Sequence, residues 1–433
     1  MGAGLAGLAA AQLLQRQGID VLVLEARSRV GGRVNTLDEL PGHPEGGANV
    51  IGPNYGRVID AAKSGDVKLH SPARSGETGF IINGQRILPD AWATSAANPL
   101  QGPMRALAPD RLLGAALRDN PLKTSSDWLN PRMAEYDLGV DSYLASLGFS
   151  DAAVSLVAAN NSYGNSIQDT SMLSLLRVGN NFARARAMRQ PVYEAARGNM
   201  RIPESIAQQF SGSIKFNVTV SRVERSGAEI IVQDLQGQQY HGDALIMALP
   251  LPALRNIQID AMSEAQREAV TAVNYHKVTQ VHLLVREPYW NDALPASWWT
   301  NGPLGRLFLR PSANPGEYAN LTVWINGADC DRLAAMSEAE AGDTVRREVE
   351  AVLPEARGLL TTGKVLRWTD DPFAGGSWAV WAPGQLGRYF ELLQQPLGRI
   401  FFAGEHTARA NPGMEGAMES GERAALDSLR TLL

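Results

Sequence analysis

The chain has 433 residues, 44% of them hydrophobic and 20% charged, enough for two or three ordinary domains around large cores. Its 40 basic and 45 acidic residues leave a net charge of −5 without a basic block, which speaks against nucleic acid as a partner. The single cysteine, Cys330, excludes an intrachain disulfide and a cysteine-cluster metal site and fits a reducing cytoplasm, and no run approaches the roughly 20 apolar residues of a membrane span.

Gly2-Ala3-Gly4-Leu5-Ala6-Gly7 opens a run to residue 17 whose apolar positions recur at helical spacing, and Gly18 ends it. Ile19-Asp20-Val21-Leu22-Val23-Leu24 reads as a buried parallel strand ending at Glu25. Turn, helix, strand and acid, in that order, predict a dinucleotide-binding fold. Its glycines let backbone approach a pyrophosphate, and the free amides of the helix start bind the charge. Glu25, 18 residues after Gly7, is placed to accept from the adenosine ribose hydroxyls. Met1 stands immediately before Gly2, where such a fold ends its first strand, so about five strand residues are expected upstream, with room for a leader before them.

Arg29-Val30-Gly31-Gly32-Arg33-Val34 suits a second approach to the diphosphate, a guanidinium standing beside paired glycines. Glu45-Gly46-Gly47-Ala48-Asn49-Val50-Ile51-Gly52-Pro53 is a small-residue turn against which a flat ring can lie. Over 79–197 the pattern predicts a mostly helical insertion, with helices near 137–148 and 152–161 and an Asn/Ser-rich joint at 160–166. Gly198-Asn199-Met200-Arg201-Ile202-Pro203 returns the chain to the nucleotide domain, followed by strands over 214–220, 223–225, 229–232 and 240–248. Strands over 278–285 and 317–326 predict a second sheet, and 337–352 an amphipathic helix with Ala341, Val345, Val349 and Val352 inward. A strand over 399–405 and a helix over 416–433 close the chain.

In this order the motifs resemble those of the flavin-containing amine oxidases, the family of monoamine, polyamine and L-amino-acid oxidases, over essentially the whole chain. The resemblance rests on Gly2–Gly7, Glu25-Ala26-Arg27, Arg29–Arg33, Gly46-Gly47, Phe402-Ala403-Gly404-Glu405 and, most specifically, Met414-Glu415-Gly416-Ala417-Met418-Glu419-Ser420-Gly421-Glu422-Arg423-Ala424-Ala425. It implies an α/β architecture: a Rossmann-like FAD-binding domain from residues 1–78, 198–255 and 365–433, and an α+β substrate domain from 79–197 and 256–364. The topology implied is that shared with p-hydroxybenzoate hydroxylase. The implied reaction oxidises a small-molecule amine to an imine by hydride transfer to flavin N5, and water hydrolyses the imine.

By the same resemblance Gly2, Gly4, Ala6 and Gly7 belong to the cofactor turn, Glu25 and Ala26 to the adenosine ribose, and Arg27, Gly32 and Arg33 to the adenosine and pyrophosphate. Gly47, Ala48, Asn49 and Val50 would line the isoalloxazine, Val220 would present backbone to the adenine, and Gly404 and Glu405 would meet the ribityl chain. Met414, Glu415 and Ala417 start the last helix, whose amide dipole favours negative charge on the reduced ring.

Three positions depart from the family pattern. Gly375-Gly376 is followed by Ser377 where covalent members carry a cysteine, so the FAD is expected to be non-covalent. Trp378 matches the first of two aromatic flanks of the amine site, but Gly413 replaces the second, leaving room for a bulkier or more polar substrate. Gln280 stands where most members have a lysine near flavin N5, and Lys277, an odd number of residues away, points to the opposite face of the strand. Trp378, Gln280 and Gly413 are thus the candidate catalytic-site residues, and the missing lysine leaves the electron acceptor open between oxygen, for an oxidase, and another acceptor, for a dehydrogenase. An L-amino-acid oxidase is the alternative; it needs an arginine for the substrate carboxylate, with Arg57, Arg184 and Arg310 as candidates. A carbon–carbon desaturase and a flavoprotein that binds without turnover are further rivals. The six histidines show no metal-ligand spacing and no metal is expected; the sequence leaves the oligomeric state open, with a homodimer as one candidate.

Overall fold

Residues 2–7 turn sharply into the helix Leu5–Arg16, with Gly2 at φ +87°, a conformation that a side chain would strain. The computed structural model describes all residues except 73–76, 161, 292, 311–318 and 433, so the predicted elements that reach 161, 317, 318 and 433 extend there beyond the described residues. The helix ends at Gln17, with Gly18 left-handed at φ 76°. Leu22–Leu24 pairs in parallel with Ser213–Lys215, and Leu245–Met247 with Ile400–Phe402. Met1 and Gly2 lie between the two pairs: Gly2 N–H donates to Leu24 O (2.8 Å), the Met1 amino group to Ile246 O (2.7 Å), and Ala248 N–H to Met1 O (3.0 Å). The helix Gly413–Leu432 crosses Leu5–Arg16 so closely that a Cβ on Gly421 would stand 2.0 Å from Ala6 O.

Two predicted strands are each divided. Asn217 is left-handed at φ 59° and ends Ser213–Lys215, so that Val220–Ser226 leaves for a separate four-stranded sheet with Gln258–Ile259, Glu229–Asp234 and Gln239–Gly242. The run over 240–248 is likewise split between Gln239–Gly242 and the parallel strand Leu245–Met247.

The largest sheet has seven strands in the order Leu360–Arg367, Val278–Val285, Ala319–Asn326, Arg306–Arg310, Ser297–Thr300, Thr78–Ile82 and Gln85–Ile87. The last two correct the expectation of a helical insertion from residue 79. They form a hairpin whose turn residues, Asn83 and Gly84, have φ of 51° and 80°, as a two-residue turn of matching twist requires. Helices follow only later in that stretch, including Pro109–Ala116, Val140–Ser146, Asp151–Ala159 and Met172–Ala187. One face of the sheet packs Val281, Leu321 and Val323 against the helix Glu338–Val352 through Ala341, Val345 and Val349, all fully buried. Ser337 and Glu340 begin that helix with a reciprocal capping box. Among the described residues no helix is long and apolar enough to cross a membrane.

The contact at Gly421 leaves no room for a side chain between Leu5–Arg16 and Gly413–Leu432. Gly421→Ala should wedge the two helices apart and lower the unfolding free energy by about 1–3 kcal/mol. Gly387→Ala, where a Cβ meets nothing within 4 Å, should leave the urea midpoint unchanged or slightly raised. Equal midpoints for Gly421→Ala and the parent protein would show that the crossing is not close-packed.

Candidate active site

A cavity of about 730 Å³, within the usual size of ligand sites, opens at the carboxyl ends of the parallel strands. Glu25 follows the first of them. It is 4% exposed, and its oxygens accept from Ala3 N–H (2.7 Å) and Arg27 N–H (2.8 Å), which fixes the carboxylate at the cavity wall. The two glycine turns meet beside it: Gly31 N–H donates to Ala3 O (2.8 Å), and a Cβ on Gly32 would stand 3.3 Å from Gly4 Cα. Bare backbone facing the cavity from two turns, with a helix start behind, is a cradle that side chains would fill, and it fits a diphosphate. Gly7 serves this cradle from behind, since a Cβ there would lie 1.9 Å from Gly2 O; it seats the helix on its turn and does not line the cavity.

Farther along, Arg33 Nη1 donates to Glu405 Oε1 (3.0 Å) and Ser377 O (2.9 Å), and Ala379 N–H donates to the same Glu405 oxygen (3.0 Å). Burial lowers the proton affinity of Arg33, but Glu405 more than offsets this and holds the guanidinium above its ordinary value. These bonds pin residues 377–379. Before them Gly376 takes φ +145°, where a Cβ would lie 2.6 Å from Tyr275 Cβ, and the tight double glycine delivers Trp378 to the cavity. The Trp378 ring lies 4.6 Å from that of His276 and 6.4 Å from that of Trp324. The loop carrying Gly47, Ala48, Asn49 and Val50 is held by Asn199, whose Nδ2 donates to Ala48 O (2.9 Å) and Asn49 O (3.0 Å). Ala6, Ala26, Arg27, Val220, Gly404, Met414 and Ala417 line the same cavity, as do Gln280 and Gly413.

Residues 5–427 match the profile of the flavin containing amine oxidoreductases. The chain belongs to that family. It is 27% identical to an L-amino-acid oxidase of Siganus canaliculatus over 100% of this chain and 85% of that protein, and 24% identical to the flavin-containing amine oxidase B of Canis lupus familiaris over 100% and 86%. Its fold is similar to that of the cyclohexylamine oxidase from Brevibacterium oxydans IH-35A, with TM-score 0.80 and 21% identity over 100% of this chain and 98% of that one. A putrescine oxidase bound to putrescine gives TM-score 0.82 and 21% identity over 99% and 98%. The architecture is therefore the α/β fold of the flavin amine oxidases, the enzyme is an FAD-dependent amine oxidoreductase, and its reaction takes an amine to an imine.

The departures from the family pattern acquire a geometry. Gln280, 1% exposed, sets its Oε1 3.1 Å from His282 Nε2, while His282 Nδ1 lies 3.2 Å from Asn320 Oδ1. Burial pulls the imidazole down to about 4, so it is neutral and has one N–H for two amide oxygens. Among the described residues Asn320 Nδ2 is buried without a partner. Turning that amide over lets its NH2 donate to His282 Nδ1 and Thr322 Oγ1, lets His282 Nε2–H donate to Gln280 Oε1, and leaves the Gln280 NH2 as a donor toward the cavity. Lys277 takes no part: its Nζ is 2.8 Å from Asp331, it does not line the cavity, and the strand's one register shift lies beyond it, between His282 and Leu283.

Gly413 is left-handed at φ +67°, and a Cβ there would stand 3.5 Å from the Tyr55 hydroxyl. Tyr55 and Trp324 thus line the cavity beside Gly413 and Trp378, and sequence reasoning missed both. Glu415 turns away from the cavity; its carboxylate accepts from Arg57 N–H (3.0 Å) and Val58 N–H (3.2 Å) and so caps the helix Gly56–Ser64, before which Tyr55 stands. The three arginines suggested for a substrate carboxylate lie elsewhere. Arg57 is bound to Glu415 and Glu422, Arg310 to Glu194 (2.7 Å) and Asn49, and Arg184 is exposed in the last turn of Met172–Ala187.

Glu45 anchors the loop of Gly47, Ala48, Asn49 and Val50 through Asn199. It is 3% exposed, accepts from Asn199 N–H (2.6 Å) and the Thr36 hydroxyl (3.1 Å), and burial raises its pKa to about 7. A carboxyl raised in this way favours folding fully below its unfolded value of 4.5 and loses that contribution as pH rises through 7. Glu45→Gln should therefore be more stable than the parent at pH 8 by on the order of 3 kcal/mol, with most of the gain gone by about pH 5. Thermal melts at both pH values measure it, and a difference independent of pH overturns the assignment.

Proposed function

We propose that the cavity holds FAD from Glu25 to the helix start at Gly413 and seats a neutral amine beside Trp378, Gln280 and Tyr55. What carries the reading is one continuous cavity with a bare-backbone cradle beside a fixed carboxylate at one end and a wall of neutral aromatic and amide groups at the other. Bound FAD supplies the oxidant that takes hydride from the carbon next to nitrogen. The chain's own residues orient the amine and keep it uncharged. Trp378, Trp324, Gln280 and Gly413 carry no charge, and burial raises the Tyr55 phenol to about 12, so this end disfavours an ammonium ion. Gln280 presents an N–H donor where a lysine is usual, and the amides of the Gly413–Leu432 start favour negative charge nearby.

In this reading residues 1–78, 198–255 and 365–433 serve the cofactor and residues 79–197 and 256–364 the amine, in a cytoplasmic setting that suits the buried thiol of Cys330. Gln280 supports a second reading, an amine dehydrogenase whose acceptor is not oxygen. The engaged state of Arg57 and Arg310 gives no support to an L-amino-acid oxidase.

Anaerobic addition of amines should bleach the flavin, and Trp378→Ala should slow that step by on the order of 100-fold while retaining FAD through desalting. Parallel loss of bleaching and of FAD would make Trp378 merely structural. Acid precipitation should release all the flavin, because Ser377 cannot form a thioether and the Cys330 thiol is buried against Ile325 O. Flavin that stays with the polypeptide would contradict this.

A further inference from the structure

Beyond the amine end, the same face of the seven-stranded sheet continues into a second cavity of about 450 Å³. Gln280, Trp324, Arg306 and Trp299 are register partners across four adjacent strands, so their side chains stand in one row on one face. The first two line the cavity already described, and Arg306 and Trp299 line the second. With strands about 4.8 Å apart, Arg306 lies roughly 10 Å from Gln280. Tyr55 stands in the wall of the first cavity and Tyr163 in that of the second.

Arg306 is the odd member of the row. Among the described residues its Nε is buried without a partner and the guanidinium makes no ion pair. Burial lowers its proton affinity, which the fields of Tyr163 and Asp110 partly restore. Asp110 belongs to the exposed rim and lies 3.5 Å from Arg111, and Arg118 and Arg186 are exposed at the same rim, so the cavity is cationic on balance. Leu113, Leu117, Leu156 and Leu175 supply apolar wall, beside the uncharged polar groups of Asn120, Asn160 and Ser162. An unpaired guanidinium set in such walls is unfavourable by itself and becomes favourable when an anion with an apolar stem completes it.

We propose that Arg306 determines specificity by binding a carboxylate at the far end of the amine substrate. This rests on the functional reading above and names its substrate class: an amine joined by an apolar spacer of roughly 10 Å to a carboxylate. Diamines are disfavoured, because a second ammonium would meet the like charge of Arg306 in a poorly solvated wall.

The test uses the FAD-loaded protein, Arg306→Met and Arg306→Lys. Octanoate, which has the stem and the carboxylate but no amine, should bind the parent in a calorimetric titration, bind Arg306→Met about 10- to 100-fold more weakly, and be partly restored by Arg306→Lys. The ratio of kcat/KM for ω-aminooctanoate to that for octylamine should fall by a similar factor in Arg306→Met, mainly through KM. Without ligand, Arg306→Met should melt no lower than the parent, since it removes an unpaired buried charge. Equal octanoate affinity in the parent and Arg306→Met, or an unchanged substrate ratio, overturns the proposal. If no amine bleaches the flavin while octanoate binding still depends on Arg306, the functional reading fails and the carboxylate site stands.

Discussion

Gly4 and Gly32 face each other so closely that a Cβ on the second would stand 3.3 Å from the first, and the arrangement of the whole cofactor end follows from that approach of backbone to backbone. Gly7 must lie against Gly2 for the helix Leu5–Arg16 to start where it does, and Gly421 against Ala6 for the last helix to cross it. With these contacts made, the starts of both helices border one cavity and their free amides converge on it. Arg33 and Glu405 then extend the same rigidity toward Trp378 through shared hydrogen bonds.

The seven-stranded sheet divides its labour by face. Toward the helix Glu338–Val352 it is mostly aliphatic, with Trp298 among the valines and leucines, and the packing is that of an ordinary core. Toward the cavities it carries glutamine, tryptophan and arginine, whose burial is tolerable only where polar atoms find partners. Gln280 finds one in the chain through His282, Asn320 and Thr322, which stays uncharged because the imidazole is neutral. The result is a rigid, uncharged amide in the cavity wall.

Sequence alone resolved the features whose cause is local. The glycine turn, the helix behind it and the acid at Glu25 each depend on neighbours within one β–α–β stretch, and the odd spacing of Lys277 and Gln280 placed them on opposite faces because a regular strand alternates. The Asn83-Gly84 hairpin was equally local; its turn signal was present but was overridden by the helical character of the residues after it. Other features arise from pairing across long stretches of chain. Glu415 caps a helix 358 positions away, Arg306 reaches its row through three strand pairings, and Tyr55 enters the site through a helix held by Glu415. No periodicity within a segment encodes those meetings.

The way the parallel layer is assembled has a consequence for how the protein is made. Its pairs join Leu22–Leu24 to Ser213–Lys215 and Leu245–Met247 to Ile400–Phe402, and Arg27 reaches Asp371 across 344 positions. Such contacts cost loop-closure entropy before they return any stability, and folds built on them are slow to form. At ribosomal speeds of about 5–20 residues per second, the glycine turn waits roughly 20–80 s for the strand that completes its layer. During that interval the antiparallel strands Val220–Ser226, Glu229–Asp234 and Gln239–Gly242, neighbours in the chain, can already pair, while the apolar parallel strands remain exposed and open to aggregation. Cofactor capture is therefore a late event in biogenesis, and the supply of flavin acts on the yield of folded enzyme rather than on its early folding.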